Sequence, residues 1–294
     1  MNLSQLKSRF LNHENINFLS SAQGLVKLIV CSHHSTGVIH LQGAHVTSFV
    51  PKNRKEFLWL SPLAKYKKGK PIRGGIPICW PWFGAHPSDP SLPQHGFART
   101  SIFEIDKITD LNDGSVTVQL SLQVRGDYLK FGVLSFYLKV QINVGVSLTV
   151  TMTSVIDNGY SIPWSEAIHS YLAVDDIQNT SLFGLRDTRY YNQLSGQVEC
   201  QLDDSVYFDQ EIDRIYKQPS NLLTVIYKNK NLLKIQQSGS DATVIWNPWV
   251  NKAKLIQDFP DQGYQNMLCV EAANLETRDQ RSGKQEHSIS QMIS

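Results

Sequence analysis

Alternating apolar and polar residues recur along most of the 294-residue chain, and this pattern limits the folds open to it. The segments that carry it are rich in β-branched and aromatic residues and are bounded by Gly, Asn, Asp or Pro. They include SVTVQLSLQV, LSFYLKVQINVGVSLTVTMTSVI, LLTVIYK and DATVIW. Alternation of this kind is typical of half-buried strands in large packed antiparallel sheets. The sequence therefore predicts an all-β fold, a large β-sandwich.

Helical patterns are sparse, and the two short candidates are LSQLKSRFLN near the start and KAKLIQDF after Trp249. No period of about 20–50 residues recurs, which argues against a propeller or solenoid. No Pro-rich or Ser-rich linker is long enough to divide the chain. We therefore expect one domain over residues 1–294, with an irregular loop between Pro71 and Thr100.

The charge balance gives no reason to expect nucleic acid or an anionic membrane as a partner, because Lys plus Arg number 28 and Asp plus Glu 26. The first residues lack an apolar stretch with a small-residue cleavage site, and nowhere do about eighteen apolar residues follow one another. These patterns predict a cytoplasmic protein.

Cysteines are few and scattered, with no CxxC pair and no histidine at zinc-finger spacing. Free, reduced thiols are the expected state. Cys31, Cys79 and Cys269 end or interrupt apolar, strand-like runs, where a small buried hydrophobe is the usual interpretation; the fourth cysteine is Cys200.

The loop KPIRGGIPICWPWFGAHPSDPSLPQHGFART combines Pro-flanked turns with aromatic residues and several hydrogen-bond donors. Its polar candidates are Arg73, His86, Gln94, His95 and Arg99. Long irregular loops in compact domains are usually functional, and one rich in Trp and Phe is not disordered. We interpret it as a rigid binding loop. The alternative is a connection that Gly and Pro merely shape, with solvated arginines.

Two strand-like segments each hold one titratable residue among apolar neighbours. EAIHSYL carries His169 after Glu166, and CVEAAN carries Glu271. A buried carboxylate is costly unless it is paired or faces a cavity, and burial would raise its pKa toward the range useful for a base. The alternatives are a satisfied core histidine and a structural salt bridge.

The segment IWNPW places Trp246 and Trp249 around Asn247 and Pro248. Indole faces can stack on sugar rings, although large aromatic residues also fill cores. The sequence contains no GxGxxG after a strand, no GxxxxGK[ST], no HExxH, no GxSxG and no EF-hand loop. Nucleotide binding, zinc peptidase and serine hydrolase functions are therefore not indicated.

Five ordered motifs resemble the glucose-6-phosphate 1-epimerase group of the aldose 1-epimerase family, over about residues 20 to 290. They are IRGGIPICWPWFG, LPQHGFAR, EAIHSYL, DRIY, and IWNPW followed by CVEAAN. The resemblance implies a galactose-mutarotase-like β-sandwich with the sugar in a groove across one sheet. It also implies His169 as general acid and Glu271 as general base, with no cofactor or metal. The substrate-binding residues that it implies are Arg73, Gln94, His95, Arg99 and Asp213.

Anomer interconversion needs one group to remove the C1 hydroxyl proton and another to protonate the ring oxygen. Arg73 and Arg99 are the candidates for a substrate phosphate, since a guanidinium matches phosphate oxygens with paired hydrogen bonds. The expected substrate is a hexose 6-phosphate, D-glucose 6-phosphate foremost, and the expected state is a monomer.

Two departures from the family pattern bear on substrate preference: the stretch LFGLRDTRYYNQL, and Asn251 where an acidic residue is common. Two alternatives stay open, an epimerase for unphosphorylated hexose and a carbohydrate-binding protein without catalysis. A glycoside hydrolase would need a second carboxylate across the scissile bond, and no motif supplies one.

Overall fold

Strands dominate the computed structural model, which describes residues 2–21, 23–125, 135–156, 164–275 and 285–294. In chain order the described strands are β1 (Ile16–Ser20), β2 (Val26–Cys31), β3 (Ser35–His40), β4 (His45–Pro51), β5 (Ile78–Cys79), β6 (Glu104–Asp110), β7 (Val116–Arg125), β8 (Ser135–Val144), β9 (Leu148–Ile156), β10 (Glu166–Ile168), β11 (Tyr171–Ala173), β12 (Thr180–Phe183), β13 (Arg189–Asn192), β14 (Gln197–Cys200), β15 (Ser205–Tyr207), β16 (Ile212–Lys217), β17 (Leu222–Tyr227), β18 (Lys230–Ser238), β19 (Ala242–Asn247), β20 (Met267–Asn274) and β21 (Gln285–Ile293). They pair antiparallel, which confirms the predicted all-β class.

Three sheets are formed from these strands. The first contains four strands in the order β1-β2-β3-β4. The second has the order β14-β13-β16-β19-β20-β10-β5, and β11 also pairs with β20. The third contains nine strands in the order β15-β12-β17-β18-β21-β9-β8-β7-β6. We call the second sheet the site sheet and the third the long sheet.

The long sheet shows why the alternating segments become strands. Along β8, Phe136, Leu138, Val140, Ile142 and Val144 are buried, whereas the residues between them face outward or are partly exposed. These side chains belong to one hydrophobic cluster that also contains buried residues of the other two sheets. The apolar face of the long sheet therefore lies in the core between the sheets, as the two-residue period requires.

The helices are short. Helix α1 (Leu3–Arg9) begins at Asn2, whose side chain accepts a hydrogen bond from the backbone N–H of Gln5 in a capping box. Helix α2 (Trp249–Ala253) follows β19. Three short 3₁₀ turns lie at Ala98–Thr100, Ile177–Asn179 and Gly263–Asn266. No helix among these described segments is long and apolar enough to cross a membrane.

The predicted helix over KAKLIQDF is wrong in position, since α2 lies mostly before it. Beyond Ala253 the chain continues in tight turns, in which the N–H of Ile256 bonds to Ala253 and that of Phe259 bonds to Ile256. Leu255 is 78% exposed. Ala253 and Phe259 are buried and Ile256 packs against them, so tight turns rather than a longer helix cover most apolar residues of this segment.

The cysteines are free thiols, as predicted. Cys79 and Cys269 are buried, whereas Cys31 and Cys200 are exposed. The expected burial of Cys31 is wrong because it is the last residue of β2, where the alternation turns its side chain away from the core.

Polar side chains cross the core between the site sheet and the long sheet. Glu166 of β10 is fully buried, and it accepts a hydrogen bond from the hydroxyl of Ser154 at 2.7 Å. Its other carboxylate oxygen lies 2.5 Å from Nδ1 of His287. A second bridge joins Ser170 to Gln291, whose side-chain amide also donates to the carbonyl of Val270 at 3.0 Å. These bonds fix the two sheets against each other directly behind β20.

Removing the Glu166 carboxylate should destabilise the protein strongly, because it leaves His287 and the Ser154 hydroxyl without their partner. We expect Glu166→Ala to lower the free energy of unfolding by about 3–5 kcal/mol. Ser154→Ala, which leaves the Glu166–His287 contact in place, should cost only about 1 kcal/mol. Denaturant unfolding measures both, and equal losses would contradict the importance of the inter-sheet pair.

Candidate active site

His169 and Glu271 face each other on the site sheet because of its strand register. Strands β10 and β11 pair with β20 in one continuous register. That register places His169, which lies between β10 and β11, opposite Glu271. Here the backbone N–H of His169 bonds outward to the carbonyl of Pro77 at 3.0 Å. The loop before β5 thus continues the sheet where the ladder is interrupted.

The two side chains approach closely in a buried setting. Nδ1 of His169 lies 3.3 Å from Oε1 of Glu271, and their side chains are only 8% and 1% exposed. This contact is not a hydrogen bond. Neither Nδ1 of His169 nor Oε2 of Glu271 has a hydrogen-bond partner among the described residues. Two buried polar atoms therefore remain available for a ligand.

Aromatic rings hold the imidazole in place. The ring of Tyr171 stacks on that of His169 at 4.8 Å with an interplanar angle of 2°. Trp246 of β19 meets the imidazole edge-on at 6.4 Å. Trp59 in turn stacks on Tyr171 at 5.9 Å. The imidazole is therefore fixed by its neighbours rather than free to rotate.

The loop predicted from Pro71 to Thr100 folds back to the His169–Glu271 pair. The backbone of Gly96, at φ +70°, passes so close to Trp80 that a Cβ would lie 2.0 Å from the carbonyl oxygen of that residue. This approach brings the His95 ring to 5.5 Å from that of His169 and 4.9 Å from that of Phe83. Only glycine permits this backbone path.

These groups surround a cavity of about 320 Å³ on the outer face of the site sheet. Its wall is formed by Arg73, Phe83, Gly84, Gln94, His95, His169, Tyr171, Gln193, Asp213, Val244, Trp246, Lys252, Ile256 and Glu271. The cavity thus collects most of the predicted site residues, from five separate parts of the chain.

A larger and more open depression of about 570 Å³ lies toward the β13–β14 edge. Its wall contains two carboxylates, Asp187 and Asp241, and two basic residues, Arg189 and Lys217. It includes no histidine among the described residues. Asp187 is 79% exposed. An exposed carboxylate lacks the perturbed environment that acid–base catalysis needs, so the smaller cavity is the better candidate.

Burial sets the protonation of the catalytic candidates. It raises the pKa of Glu271 well above the ordinary value, with a further contribution from Asp213. It lowers the pKa of His169 well below the ordinary value, with contributions from His95, Arg99 and Arg73. Both effects disfavour charge, so one proton shared as a neutral pair is the favoured state of the cavity.

Two other groups have shifted titration. Burial raises the pKa of Asp213 to about 6, against a hydrogen bond from Gln193. Burial lowers the pKa of His95 to about 3, with help from Arg99 and Arg73. His95 is therefore neutral near pH 7, and Asp213 is mostly ionised there.

The two predicted phosphate ligands differ in position. Arg73 lines the cavity, and its guanidinium donates to Oδ1 of Asp258 at 3.1 Å and to the hydroxyl of Tyr171 at 3.2 Å. Arg99 is not part of the cavity wall formed by described residues; its Nη2 donates to the backbone carbonyl of Gln94 at 2.6 Å. Arg99 thus supports a wall residue rather than facing the cavity.

Sequence reasoning left other candidates open or missed them. Trp246 lines the cavity, whereas Trp249 packs on Tyr264. His86 lies outside the cavity wall and packs edge-on against Trp82 at 4.6 Å.

Lys252 and Tyr171 were missed, although both line the cavity. The acidic partner of Arg73, Asp258, was missed as well. A basic residue just after IWNPW was the one available signal for Lys252.

Comparisons with known proteins show which family and which structures the chain resembles. The sequence profile of the family described as aldose 1-epimerase matches residues 27–292. A relative from Cenchrus ciliaris is 35% identical over 269 residues, covering 88% of this chain and 81% of its own. One from Escherichia coli is 33% identical over 235 residues, covering 79% and 78%. Both relatives carry the name "putative glucose-6-phosphate 1-epimerase".

Solved structures share the architecture. The crystal structure of a "putative mutarotase" from Salmonella typhimurium has a TM-score of 0.83 at 25% identity, and the match covers 98% of each chain. A crystal structure of an aldose 1-epimerase homologue from C. elegans has a TM-score of 0.64 at 12% identity, which shows likeness of fold alone. The predicted mutarotase-like sandwich is thereby confirmed.

Two glycines in the loop between Pro71 and Thr100 allow the cost of a left-handed backbone to be measured separately from the cost of a close contact. Gly84 and Gly96 have nearly the same φ, +71° and +70°, but a Cβ at Gly84 would meet nothing within 4 Å. Gly84→Ala should cost about 1–2 kcal/mol for its left-handed conformation. Gly96→Ala should cost about 2 kcal/mol more because of the contact with Trp80. Denaturant unfolding measures both, and equal costs would mean that the loop path does not depend on this contact.

Proposed function

The chain belongs to the aldose 1-epimerase family and is an isomerase of the mutarotase kind, and from this we propose that it interconverts the α and β anomers of a hexose 6-phosphate. D-glucose 6-phosphate is the proposed substrate, in keeping with the names of the relatives. The observation that carries the proposal is the buried His169–Glu271 pair, 3.3 Å apart on one wall of the cavity.

The proposed reaction opens and recloses the sugar ring. Glu271 removes the proton from the C1 hydroxyl while His169 donates one to the ring oxygen, and the C1–O5 bond breaks to give the open-chain aldehyde. Rotation about C1–C2 presents the other face of the carbonyl, and the same two groups run the steps in reverse. The α and β anomers thus exchange without a covalent intermediate.

The number of protons held by the buried His169–Glu271 pair fits this reaction. Before the reaction the pair is carboxylic acid and neutral imidazole, and moving the proton from Glu271 to His169 across the 3.3 Å between them gives the carboxylate and imidazolium that begin ring opening. Ring opening then returns the neutral pair. Both forms hold one proton between Glu271 and His169 and have no net charge. Burial, which favours the neutral pair, therefore stabilises the state that accompanies the open-chain sugar.

Other wall residues would hold the sugar. An ionised Asp213 accepts hydrogen bonds from hydroxyl groups, and Gln94 can both donate and accept. A neutral His95 can do the same next to His169. Contacts of this kind reject sugars that lack the matching hydroxyl, because a buried polar group would then be unpaired.

Phosphate recognition is assigned to Arg73, whose guanidinium retains N–H donors beyond those used for Asp258 and Tyr171. Lys252, also on the cavity wall, adds a second positive charge for the phosphate. A direct contact between Arg99 and phosphate stays a prediction. Its hydrogen bond to the Gln94 carbonyl supports an indirect role, in which it fixes the loop that carries Gln94.

We extend the proposal to the whole chain. The largest hydrophobic cluster of the described residues contains side chains from all three sheets, which supports one domain over residues 1–294. Four free thiols, two of them exposed, are typical of a reducing compartment and support a cytoplasmic location. The monomeric state, and the absence of nucleic acid and membrane partners, stay predictions.

The test is the exchange rate between the anomeric protons of α- and β-D-glucose 6-phosphate, measured by NMR saturation transfer with and without the protein. Acceleration of the phosphorylated sugar over glucose and galactose is expected. Faster exchange of the free sugars would instead indicate an epimerase for unphosphorylated hexose. No acceleration of any sugar would overturn the proposal and favour a binding role.

The same measurement on variants tests the assigned residues. Glu271→Gln and His169→Ala should each reduce the exchange rate by about 10²- to 10⁴-fold while the protein stays folded. His86→Ala, which removes a histidine of the loop between Pro71 and Thr100 that is not part of the cavity wall, is the control and should keep the full rate. Near-normal exchange in either site variant would refute its role.

The pKa of Asp213, about 6, predicts a pH dependence of substrate binding. As the pH falls through this value the carboxylate gains a proton and loses its charge, so KM should rise. Asp213→Asn should raise KM at pH 7 and remove this acid limb.

Glu211→Gln is the control, because Glu211 lies near Asp213 and raises its pKa but is not part of the cavity wall. This variant should keep the limb and move it to lower pH. An acid limb that persists unchanged in Asp213→Asn would assign the titration to another group.

A further inference from the structure

A thiol lies beside the catalytic pair. Cys269 precedes Glu271 by two residues on β20, so both side chains point to the same face of the site sheet. Ligand atoms of Cys269, His169 and Glu271 all lie within 4.8 Å of one another, and all three residues are buried. Thiolate, imidazole and carboxylate are the ligands that zinc takes in proteins.

Two of these groups also lack partners. Nδ1 of His169 and Oε2 of Glu271 make no hydrogen bond with any described residue, although both atoms are buried. Unpaired buried polar atoms are uncommon in folded proteins and point to a ligand that completes them. The cluster therefore has donor atoms that are already desolvated and lie within 4.8 Å of one another.

We propose that Cys269, His169 and Glu271 form a binding site for Zn²⁺ or a similar thiophilic divalent ion, and that the bound ion inhibits the enzyme. The geometry is compatible. Zinc binds nitrogen and oxygen at about 2.0–2.2 Å, which separates two tetrahedral ligands by about 3.4 Å. The observed distance of 3.3 Å between Nδ1 of His169 and Oε1 of Glu271 meets this requirement.

Three protein ligands leave one tetrahedral position for water. His169 and Glu271 are part of the cavity wall, so the ion would lie next to the space in which the sugar is proposed to bind. An ion held there would occupy the lone pairs with which both groups handle protons. It would therefore compete with the sugar. This inhibitory consequence rests on the proposed function, whereas the binding of the ion does not.

Charge and protons balance in the complex. A thiolate, a carboxylate and a neutral imidazole offset the two positive charges of the ion. Binding must release the thiol proton and the proton that Glu271 and His169 share, two in all. Mg²⁺ should not bind, because it requires an octahedral set of oxygen ligands.

The exposed thiols have to be removed first, because Cys31 and Cys200 could bind metal on their own. We therefore take Cys31→Ser/Cys200→Ser as the background and titrate it with Co²⁺, whose bond to a thiolate gives a charge-transfer absorption band. The expected result is a band that saturates at one ion per chain and is displaced by Zn²⁺. Two protons should be released per ion.

Adding Cys269→Ser to the background should abolish the band and weaken Zn²⁺ binding by about 10-fold or more, since a ligand is lost. Cys269→Ala provides a second variant without a hydroxyl. Cys79→Ser is the matched control, because Cys79 is equally buried on the site sheet but outside the cluster. It should keep both the band and the affinity. Melting curves verify that each variant is folded.

Sugar exchange is then measured with Zn²⁺ present, each variant being compared with its own metal-free rate. Inhibition of the background and of Cys79→Ser, relieved in Cys269→Ser and unaffected by Mg²⁺, is expected. The proposal is overturned if no thiolate band forms, or if Cys269→Ser is inhibited as strongly as the background. A thiolate band in a protein without exchange activity would refute the proposed function and leave the metal site standing.

Discussion

The burial of a carboxylate in the middle of a strand is the interaction on which much of this structure depends. All eight residues of β20 are buried, so Glu271 has no direct access to bulk water except through the cavity. Such a group is tolerated only when its surroundings are fixed and polar. On one side stand His169 and the aromatic rings of Tyr171 and Trp246. On the other, polar bonds between the sheets hold the backbone of β20 in place.

Those inter-sheet bonds explain why so many polar groups occupy this core. Gln291 bonds to the backbone of Val270, next to Glu271, and to the hydroxyl of Ser170, next to His169. Apolar packing alone could let β20 and the segment that carries His169 slide slightly against the long sheet. Hydrogen bonds at defined positions do not allow this without leaving a buried group unpaired. The distance between His169 and Glu271 is therefore set from behind the sheet.

The sequence predicted the sheets well, because alternation reports directly on which face is buried, as Phe136 to Val144 illustrate. Glu271 was found as a carboxylate in an otherwise apolar strand, and the role proposed for His169 came from the resemblance to the family. Contacts that depend on strand register could not be predicted, such as Cys269 beside His169 or Tyr171 stacked upon it. The hydrogen bond from Arg99 to the carbonyl of Gln94 could not be predicted for the same reason, since it depends on how the loop folds back. The position of α2 was predicted wrongly because the chain turns after Ala253, and these turns bury Phe259 without a longer helix.

The burial of the His169–Glu271 pair limits the chemistry that the cavity can support. Burial disfavours charge on both Glu271 and His169, so neither group holds a lasting charge there. Cleavage of a glycosidic bond passes through an oxocarbenium-like cation, which needs an ionised carboxylate beside it. Opening a hemiacetal ring leaves a neutral aldehyde, and the proton that Glu271 and His169 share only changes its position. The buried pair therefore suits ring opening better than glycosidic cleavage at the same carbon atom.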